Sequence, residues 1–263
     1  MHQRNSDIID PRSRRFITLI ADDERTVREA QALRYRIFAG EMGARLHSAE
    51  TELDIDEIDP FCDHLVVYDT QEQKVIGCTR LLSDTQAARL GRFYSEGEFD
   101  LARVLALPGR FLEIGRTCVD SSYRGGVVIA ALWSGLADYI SQHRFDYLMG
   151  CASISPGPSG FSVAAVYRQV APDQLGPDSL QVHPRHPVPE RMRCVRDESG
   201  IPPLLQAYLR LGALICGEPC WDEDFNVMDV FILLPMTRLA ARYERHFIAG
   251  AQESGHAPIS TGM

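Results

Sequence analysis

Glu113 and Arg116 are the charged residues of an otherwise apolar run, FLEIGRTCV, at residues 111–119. A carboxylate that is partly desolvated beside a strand can take the proton of an ammonium group at neutral pH. Residues three apart in a regular strand face opposite sides, so we expect a bulge at Gly115 that turns both charges toward one side. The alternative is that Glu113 and Arg116 form a structural ion pair.

A turn rich in Gly and small polar residues, DSSYRGG, follows this run at residues 120–126 and precedes an apolar helix. A strand that feeds a helix N-terminus is the outline of a phosphate-binding unit. The unit resembles the strand, loop and helix with which N-acyltransferases of the GNAT type hold a pantetheine thioester. The resemblance implies acyl-donor contacts for five residues: Thr117, Val119, Arg124, Gly125 and Gly126.

An acidic stretch at residues 50–63 carries seven carboxylates and no Lys or Arg. A cationic substrate would offset the mutual repulsion of these acids. A solvated acidic loop is the simpler interpretation. A calcium loop is not expected, because the spacing, central Gly and terminal Glu of an EF-hand are missing.

The elements that must position these residues follow from the periodicity of the apolar residues. Strands are predicted at residues 15–21, 64–68, 75–82, 111–119, 147–154 and 227–234. Helices are predicted from residue 24 to Gly40 or Gly43 and at residues 127–139, 161–170, 204–216 and 236–247. Residues 83–108 are predicted to be a polar insert with short apolar pieces that packs only in part, and residues 171–203 to be loop-like. This order predicts an α/β fold of the GNAT type, with a central mixed, mostly antiparallel sheet flanked by helices. We expect one such domain at residues 16–247, with tails at residues 1–15 and 248–263.

Composition and charge limit the classes of function. The 263 residues carry a formal charge of −9, which argues against general nucleic-acid binding, and the dinucleotide fingerprint Gly-x-Gly-x-x-Gly is absent. Seven cysteines, an odd number scattered through apolar segments, favour thiols in a reducing cytoplasm over a disulfide framework. No apolar run has the length of a membrane span, so any membrane contact is expected to be peripheral.

The motifs in combination resemble those of the acyl-homoserine-lactone synthases and the N-acyl amino acid synthases over residues 32–130. Their helix motif is matched by Arg34 and Phe38 in LRYRIFAGEMG, and their Asp-x-x-Asp by Asp56 and Asp59. Their strand Arg is matched by Arg80 in GCTRLL, and their Glu-x-x-Arg by Glu113 and Arg116. The resemblance implies that Glu113 and Arg116 are catalytic and that the other five residues bind substrate. The C-terminal third instead resembles the ornithine Nα-acyltransferases that make lyso-ornithine lipid.

These resemblances imply transfer of a 3-hydroxyacyl group from an acyl carrier protein thioester to the α-amine of L-ornithine, without a metal or another cofactor. Arg34 or Arg80 would hold the carboxylate of the amino acid, and Asp54, Asp56 and Asp59 its distant ammonium. The acidic carrier protein would dock on Arg124 and on a basic loop, which contains Arg185, Arg191, Arg193 and Arg196.

Three alternatives to this function stay open. The chain could acylate another amino acid, could be an autoinducer synthase, or could be an inactive GNAT-like module that binds the carrier protein or another partner. The expected location is the cytoplasm, with peripheral contact to the inner membrane through the lipid product.

Overall fold

The computed structural model describes residues 15–46, 48–194 and 200–239. The strands and helices of these residues are, in chain order, β1 (Phe16–Ile20), α1 (Glu24–Tyr35), β2 (Asp63–Asp69), β3 (Lys74–Ser83), α2 (Asp84–Leu90), β4 (Phe99–Asp100), α3 (Ala102–Leu105), β5 (Phe111–Val119), α4 (Val127–His143), β6 (Tyr147–Ile154), α5 (Val163–Gln169), β7 (His183–Pro184), α6 (Pro203–Leu211), β8 (Leu214–Ile215), β9 (Cys220–Asp222) and β10 (Val227–Pro235). They fall into two compact units. The first unit takes its described residues from Met1–Tyr94, Leu112–Arg144 and Glu223–Asn226, and the second from Ser95–Phe111, Phe145–Asp222 and Val227–Met263.

The first unit is built on four antiparallel strands in the order β1, β2, β3, β5. Side chains alternate between the two faces of a strand. Val66 and Cys78 therefore join the buried cluster of α1, whereas Gly77 lies against Val128 and Leu132 of α4. A Cβ at residue 77 would come within 2.7 Å of Val128 Cγ1, so glycine lets α4 approach the sheet closely.

Helix α1 begins at a cap that the sequence supplies. The side chain of Asp23 accepts a hydrogen bond from the backbone N–H of Thr26 at 3.0 Å. After Tyr35 the helix continues as one wide turn over Arg36–Glu41, and Met42 N donates to Ile37 O at 3.0 Å. The end of this turn lies between Gly40 and Gly43, as the sequence predicted.

The second unit is organised around β10. Eight residue pairs join β10 to the antiparallel strand β6, and β8 and β9 also pair with it. Helices α5 and α6 bury apolar residues in one cluster with these strands, including Val166, Leu205 and Val230. The short strands β4 and β7 pair separately.

The structure adds detail to one predicted segment and corrects another. Within the polar insert at residues 83–108, Ser83 and Gln86 form a reciprocal capping box that starts α2, a signal that the sequence did contain. The helix predicted at residues 204–216 ends at Leu211. Gly212 closes it with a φ of 107°, and Leu214–Ile215 then forms β8.

Other expectations concern the cysteines, the termini and membrane spans. All seven cysteines lie within the described residues and none forms a disulfide, as the sequence predicted. The predicted tails lie outside the described residues except for Arg15, and the closing helix predicted at residues 236–247 is described only over residues 236–239, which are helical. No helix in the described part of the chain is long and apolar enough to cross a membrane.

Candidate active site

A β-bulge lies at the centre of the candidate site in the first unit. Arg80 of β3 pairs with Gly115, and Cys78 pairs with Cys118, so two residues of β5 oppose one residue of β3. Arg116 is the residue after Gly115 and has a φ of 53°, which is uncommon for a residue with a side chain. The strand therefore contains the bulge that the sequence predicted, and the bulge lies directly after Gly115 rather than at it. Such local strain persists where the surrounding contacts over-determine it.

Three arginines from different elements converge on three aspartates. Arg34 comes from α1, Arg80 from β3 and Arg116 from β5. The aspartates Asp54, Asp56 and Asp59 come from the acidic stretch that precedes β2. We call these six residues the charge network.

Asp59 links two of the arginines. Its Oδ2 lies 2.6 Å from Arg34 Nη2, and its Oδ1 lies 2.9 Å from Arg80 Nη1. All three side chains are at most 4% exposed. Their ion pairs therefore lie in a poorly hydrated interior where charges interact strongly.

Asp54 and Asp56 make the remaining ion pairs of the network. Asp54 lies 2.8 Å from Arg34 Nε and 3.2 Å from Arg116 Nε. Asp56 lies 2.7 Å from Arg80 Nη1 and 3.7 Å from Arg116 Nη2. The sequence assigned the offset of these acids to a cationic substrate, but the arginines already supply a counter-charge for each of them.

Exposure separates the members of the network that a ligand can reach. The side chain of Asp56 is 26% exposed and that of Arg116 is 13% exposed. Arg34 and Arg80 are only 1% and 4% exposed. A ligand therefore meets Asp56 and Arg116 first.

The pKa shifts favour the ionised forms of Asp56 and of the three arginines. Burial raises the pKa of Asp56, but the charge and hydrogen bond of Arg80, together with the charge of Arg116, lower the pKa below its ordinary value. Burial lowers the pKa of Arg34, Arg80 and Arg116, yet neighbouring carboxylates contribute to a net increase in each case. Three arginines and three aspartates leave the network balanced in formal charge.

His64 borders the network in its uncharged form. Its Nδ1 lies 3.4 Å from Arg34 Nη1. Burial, followed by the positive charge of Arg34, lowers the pKa of His64. The neutral imidazole adds no charge to the site at neutral pH.

Glu113 is a buried carboxylate beside the network. It is 3% exposed, pairs with Leu82 across β3 and β5, and accepts a hydrogen bond from the backbone N–H of Tyr94 at 2.6 Å. The ion pairs of Arg116 run to Asp54 and Asp56. The described ion pairs of Arg116 therefore do not include Glu113, which differs from the structural ion pair considered as an alternative.

Three aromatic rings surround the guanidinium of Arg116. Its Cζ lies 4.7 Å from the ring centroid of Phe225, 5.1 Å from that of Tyr94 and 6.0 Å from that of Phe38. Phe38 follows Arg34 by one helical turn, as the motif predicted, whereas sequence reasoning missed Tyr94 and Phe225. No local pattern marks either residue, because their contacts join distant parts of the chain.

The five predicted donor-binding residues lie at the end of β5 and in the turn that precedes α4. Thr117 Oγ1 lies 2.7 Å from Thr79 Oγ1, and Arg124 Nε donates to the backbone carbonyl of Val119 at 3.2 Å. Gly126 has a φ of 94° and precedes α4, whose first residue Val127 is 62% exposed. An exposed helix start of this kind presents N–H groups that suit a phosphate. The role of these residues in donor binding stays a prediction.

A cluster of metal-ligating groups lies in the second unit. Carboxylate oxygens of Glu98, Asp222 and Asp229 lie within 4.8 Å of one another. Acidic groups cluster in this way without an ion in many proteins, so the cluster does not define a metal centre.

The fold and the comparisons define a class of enzyme. Residues 33–134 match the family model described as an acetyltransferase (GNAT) domain. The structure of the CoA-dependent acyl-homoserine lactone synthase BjaI with SAM and isopentyl-CoA superposes with a TM-score of 0.51. The match covers 88% of each chain at 14% identity, which is evidence for the fold alone. The chain is an acyltransferase with a GNAT fold, as the sequence predicted.

Similarity over nearly the whole chain narrows this class. The chain is 34% identical over 252 residues to the L-ornithine N(alpha)-acyltransferase of Brucella abortus (strain 2308), covering 88% of each protein. It is also 34% identical over 254 residues to the enzyme of the same name from Rhodobacter capsulatus, covering 90% of this chain and 96% of the relative. The chain belongs to the L-ornithine Nα-acyltransferase family.

Replacing Asp59 by Asn is expected to lower the free energy of unfolding by about 3 kcal/mol, because two buried arginines lose a shared negative partner. The matched variant Asp56→Asn should cost about 1 kcal/mol, since Asp56 is 26% exposed. Urea unfolding at neutral pH measures both values. Equal stability of Asp59→Asn and the unmodified protein would contradict the structural role of the network.

Proposed function

We propose that the chain transfers a 3-hydroxyacyl group from an acyl carrier protein thioester to the α-amine of L-ornithine, which yields lyso-ornithine lipid. The observation that carries this proposal is the 34% identity to L-ornithine Nα-acyltransferases over about nine tenths of the chain. The charge and exposure of the candidate site support the same acceptor.

The charged groups of ornithine match the two exposed side chains of the charge network. The sequence assigned the carboxylate of the amino acid to Arg34 or Arg80, but both are almost fully buried. Arg116 is the most exposed arginine of the charge network and is proposed to bind this carboxylate instead. Asp56 is exposed enough to face the distant ammonium of ornithine. Arg116 and Asp56 would be held in place by the buried residues of the network, Arg34, Arg80 and Asp59. The ring of Phe38 would also support the guanidinium of Arg116.

The chemical step needs a neutral amine close to a thioester carbonyl. Glu113 would take one proton from the α-ammonium, and the amine nitrogen would then attack the carbonyl carbon. Backbone N–H groups at the bulge would stabilise the oxyanion. As the C–S bond breaks, the pantetheine thiolate leaves and takes up the second amine proton, and the proton on Glu113 returns to solvent.

The donor is proposed to bind at the start of α4 and to dock through basic side chains. Arg124 lies beside Gly125 and Gly126, where it could pair with the phosphate of a pantetheine arm. In the second unit, Arg185 and Arg191 are exposed, and Arg193 lines a groove of about 530 Å³ together with Arg103 and His183. The arginines of this unit would attract an acidic carrier protein despite the net charge of −9. Arg196, which the sequence placed in the same basic loop, lies outside the described residues.

The proposed location follows from the product and the cysteines. Seven thiols without disulfides favour a reducing cytoplasm, and an acylated product would leave the enzyme at the inner face of the membrane. Separation of cell extracts into cytosolic and membrane fractions checks this location, and a periplasmic protein would contradict it.

The unmodified protein is expected to acylate ornithine and to leave leucine unreacted. A neutral side chain brings no ammonium group to the exposed edge of Asp56, so leucine would forgo the charge pairing that ornithine gains there. Mass spectrometry of reactions that contain acyl carrier protein thioester and one amino acid measures the product. Equal acylation of leucine would favour another N-acyl amino acid synthase, and no acylation of any amino acid would favour a binding module.

Glu113→Gln should reduce kcat about a hundredfold or more, because glutamine accepts the hydrogen bond of Tyr94 but cannot take a proton. Glu57→Gln provides a matched control, since Glu57 is 71% exposed and its ion pair with Arg92 lies on the surface. Single-turnover assays and thermal melting separate catalysis from folding. An unchanged kcat in a folded Glu113→Gln variant would remove Glu113 as the base.

The double variant Arg185→Glu, Arg191→Glu is expected to raise the KM for the acyl carrier protein donor about tenfold, because two cations facing an acidic partner are reversed. Arg168→Glu, which reverses one exposed charge in the same unit, is the control. Steady-state rates at low and high salt measure the effect, which should shrink at high salt. If the double variant and the Arg168→Glu control have the same KM for the donor at low salt, the docking proposal is contradicted.

A further inference from the structure

The turn at Glu223–Asn226 contributes an aromatic residue to the candidate site. It belongs to the first unit, where Arg45 holds it by its backbone and by its side chain. Arg45 N donates to Asp224 O at 2.7 Å, and Arg45 Nη2 lies 3.0 Å from Glu223 and 3.7 Å from Asp224. Asn226 has a φ of 50°, a conformation that Asn adopts more readily than most residues. The contacts of Arg45 and the backbone of Asn226 therefore fix the position of Phe225.

Phe225 makes the shortest of the three ring contacts with Arg116, at 4.7 Å from Cζ to the ring centroid. The ring of Phe225 also packs edge-on against Phe38, with centroids 5.6 Å apart and planes inclined at 69°. Phe225 belongs to the partly buried residues that pack against the cluster of α1. One aromatic face thus connects the guanidinium of Arg116 to the apolar core of the first unit.

The ion pairs of Arg116 alone do not fix the plane of its guanidinium. Asp54 lies 3.2 Å from Nε and Asp56 lies 3.7 Å from Nη2, so the carboxylates constrain the position of those nitrogens. An arginine side chain has several rotatable bonds and loses conformational entropy when it is fixed. An aromatic ring 4.7 Å from the guanidinium carbon attracts the guanidinium and restricts its remaining rotation.

We infer that Phe225 is a positioning residue for acceptor recognition, which acts by orienting the guanidinium of Arg116 toward the carboxylate of the amino acid. The inference rests on the proposed function. An arginine that binds a carboxylate through two parallel hydrogen bonds must present its edge at a defined angle. Loss of the ring should therefore weaken binding of the amino acid and leave binding of the acyl donor unchanged.

The test compares Phe225→Leu with a matched aromatic residue elsewhere in the chain. Phe145 lies in the second unit and stacks under Arg110, with 4.9 Å between Arg110 Cζ and the ring centroid. Phe225→Leu is expected to raise the KM for ornithine about five- to tenfold, with the KM for the acyl carrier protein thioester unchanged. Phe145→Leu should leave both KM values at the level of the unmodified protein, and Phe225→Tyr, which retains the aromatic face, should restore the KM for ornithine.

Thermal melting of each variant separates positioning from folding. If Phe225→Leu melts below the assay temperature, Phe225→Met takes its place, since methionine fills a similar volume without an aromatic face. A KM for ornithine equal to that of Phe145→Leu would overturn the inference, as would equal increases in Phe225→Tyr and Phe225→Leu. Failure of the unmodified protein to acylate ornithine would instead overturn the proposed function, and the KM comparison would then use the amino acid that it does accept.

Discussion

The candidate site depends on the electrical neutrality of the charge network. A buried charge without a partner is costly, so the three arginines can occupy the interior only when the three aspartates accompany them. Asp59, shared by Arg34 and Arg80, ties α1 to β3, and Asp54 extends the connection to the bulge on β5. The acidic stretch is held against the sheet by the same contacts that neutralise it.

Glu113 lies on the strand that also carries Arg116. It is buried and accepts a hydrogen bond from the backbone N–H of Tyr94, so the fold holds its carboxylate in place. The bulge after Gly115 lets Arg116 of the same strand reach Asp54 and Asp56.

Sequence reasoning predicted most of the strands and helices. It identified the residues of the site but not the ion pairs between them. The motifs identified Arg34, Arg80 and Asp59 as members of one site because each stands in a recognisable local pattern. The patterns could not reveal that these residues neutralise one another, since pairing depends on how a loop lies over a sheet. Phe225 could not be predicted as a residue of the site for a related reason, because its contact with Arg116 joins segments that are distant along the chain. By contrast, local sequence signals mark two helix ends. Ser83 and Gln86 indicate the start of α2, and Gly212 indicates the end of α6.

The composition of the charge network also determines how the site responds to acidity. Guanidinium groups keep their protons throughout the range in which enzymes work, and the pKa of Asp56 is lowered by Arg80. His64 remains uncharged above its ordinary pKa because burial disfavours the imidazolium form. The scaffold around the reacting groups is therefore electrostatically constant between about pH 7 and pH 9. Under the proposed function, a change of rate with pH in that interval therefore reports the titration of the acceptor amine, without interference from the arginines and His64.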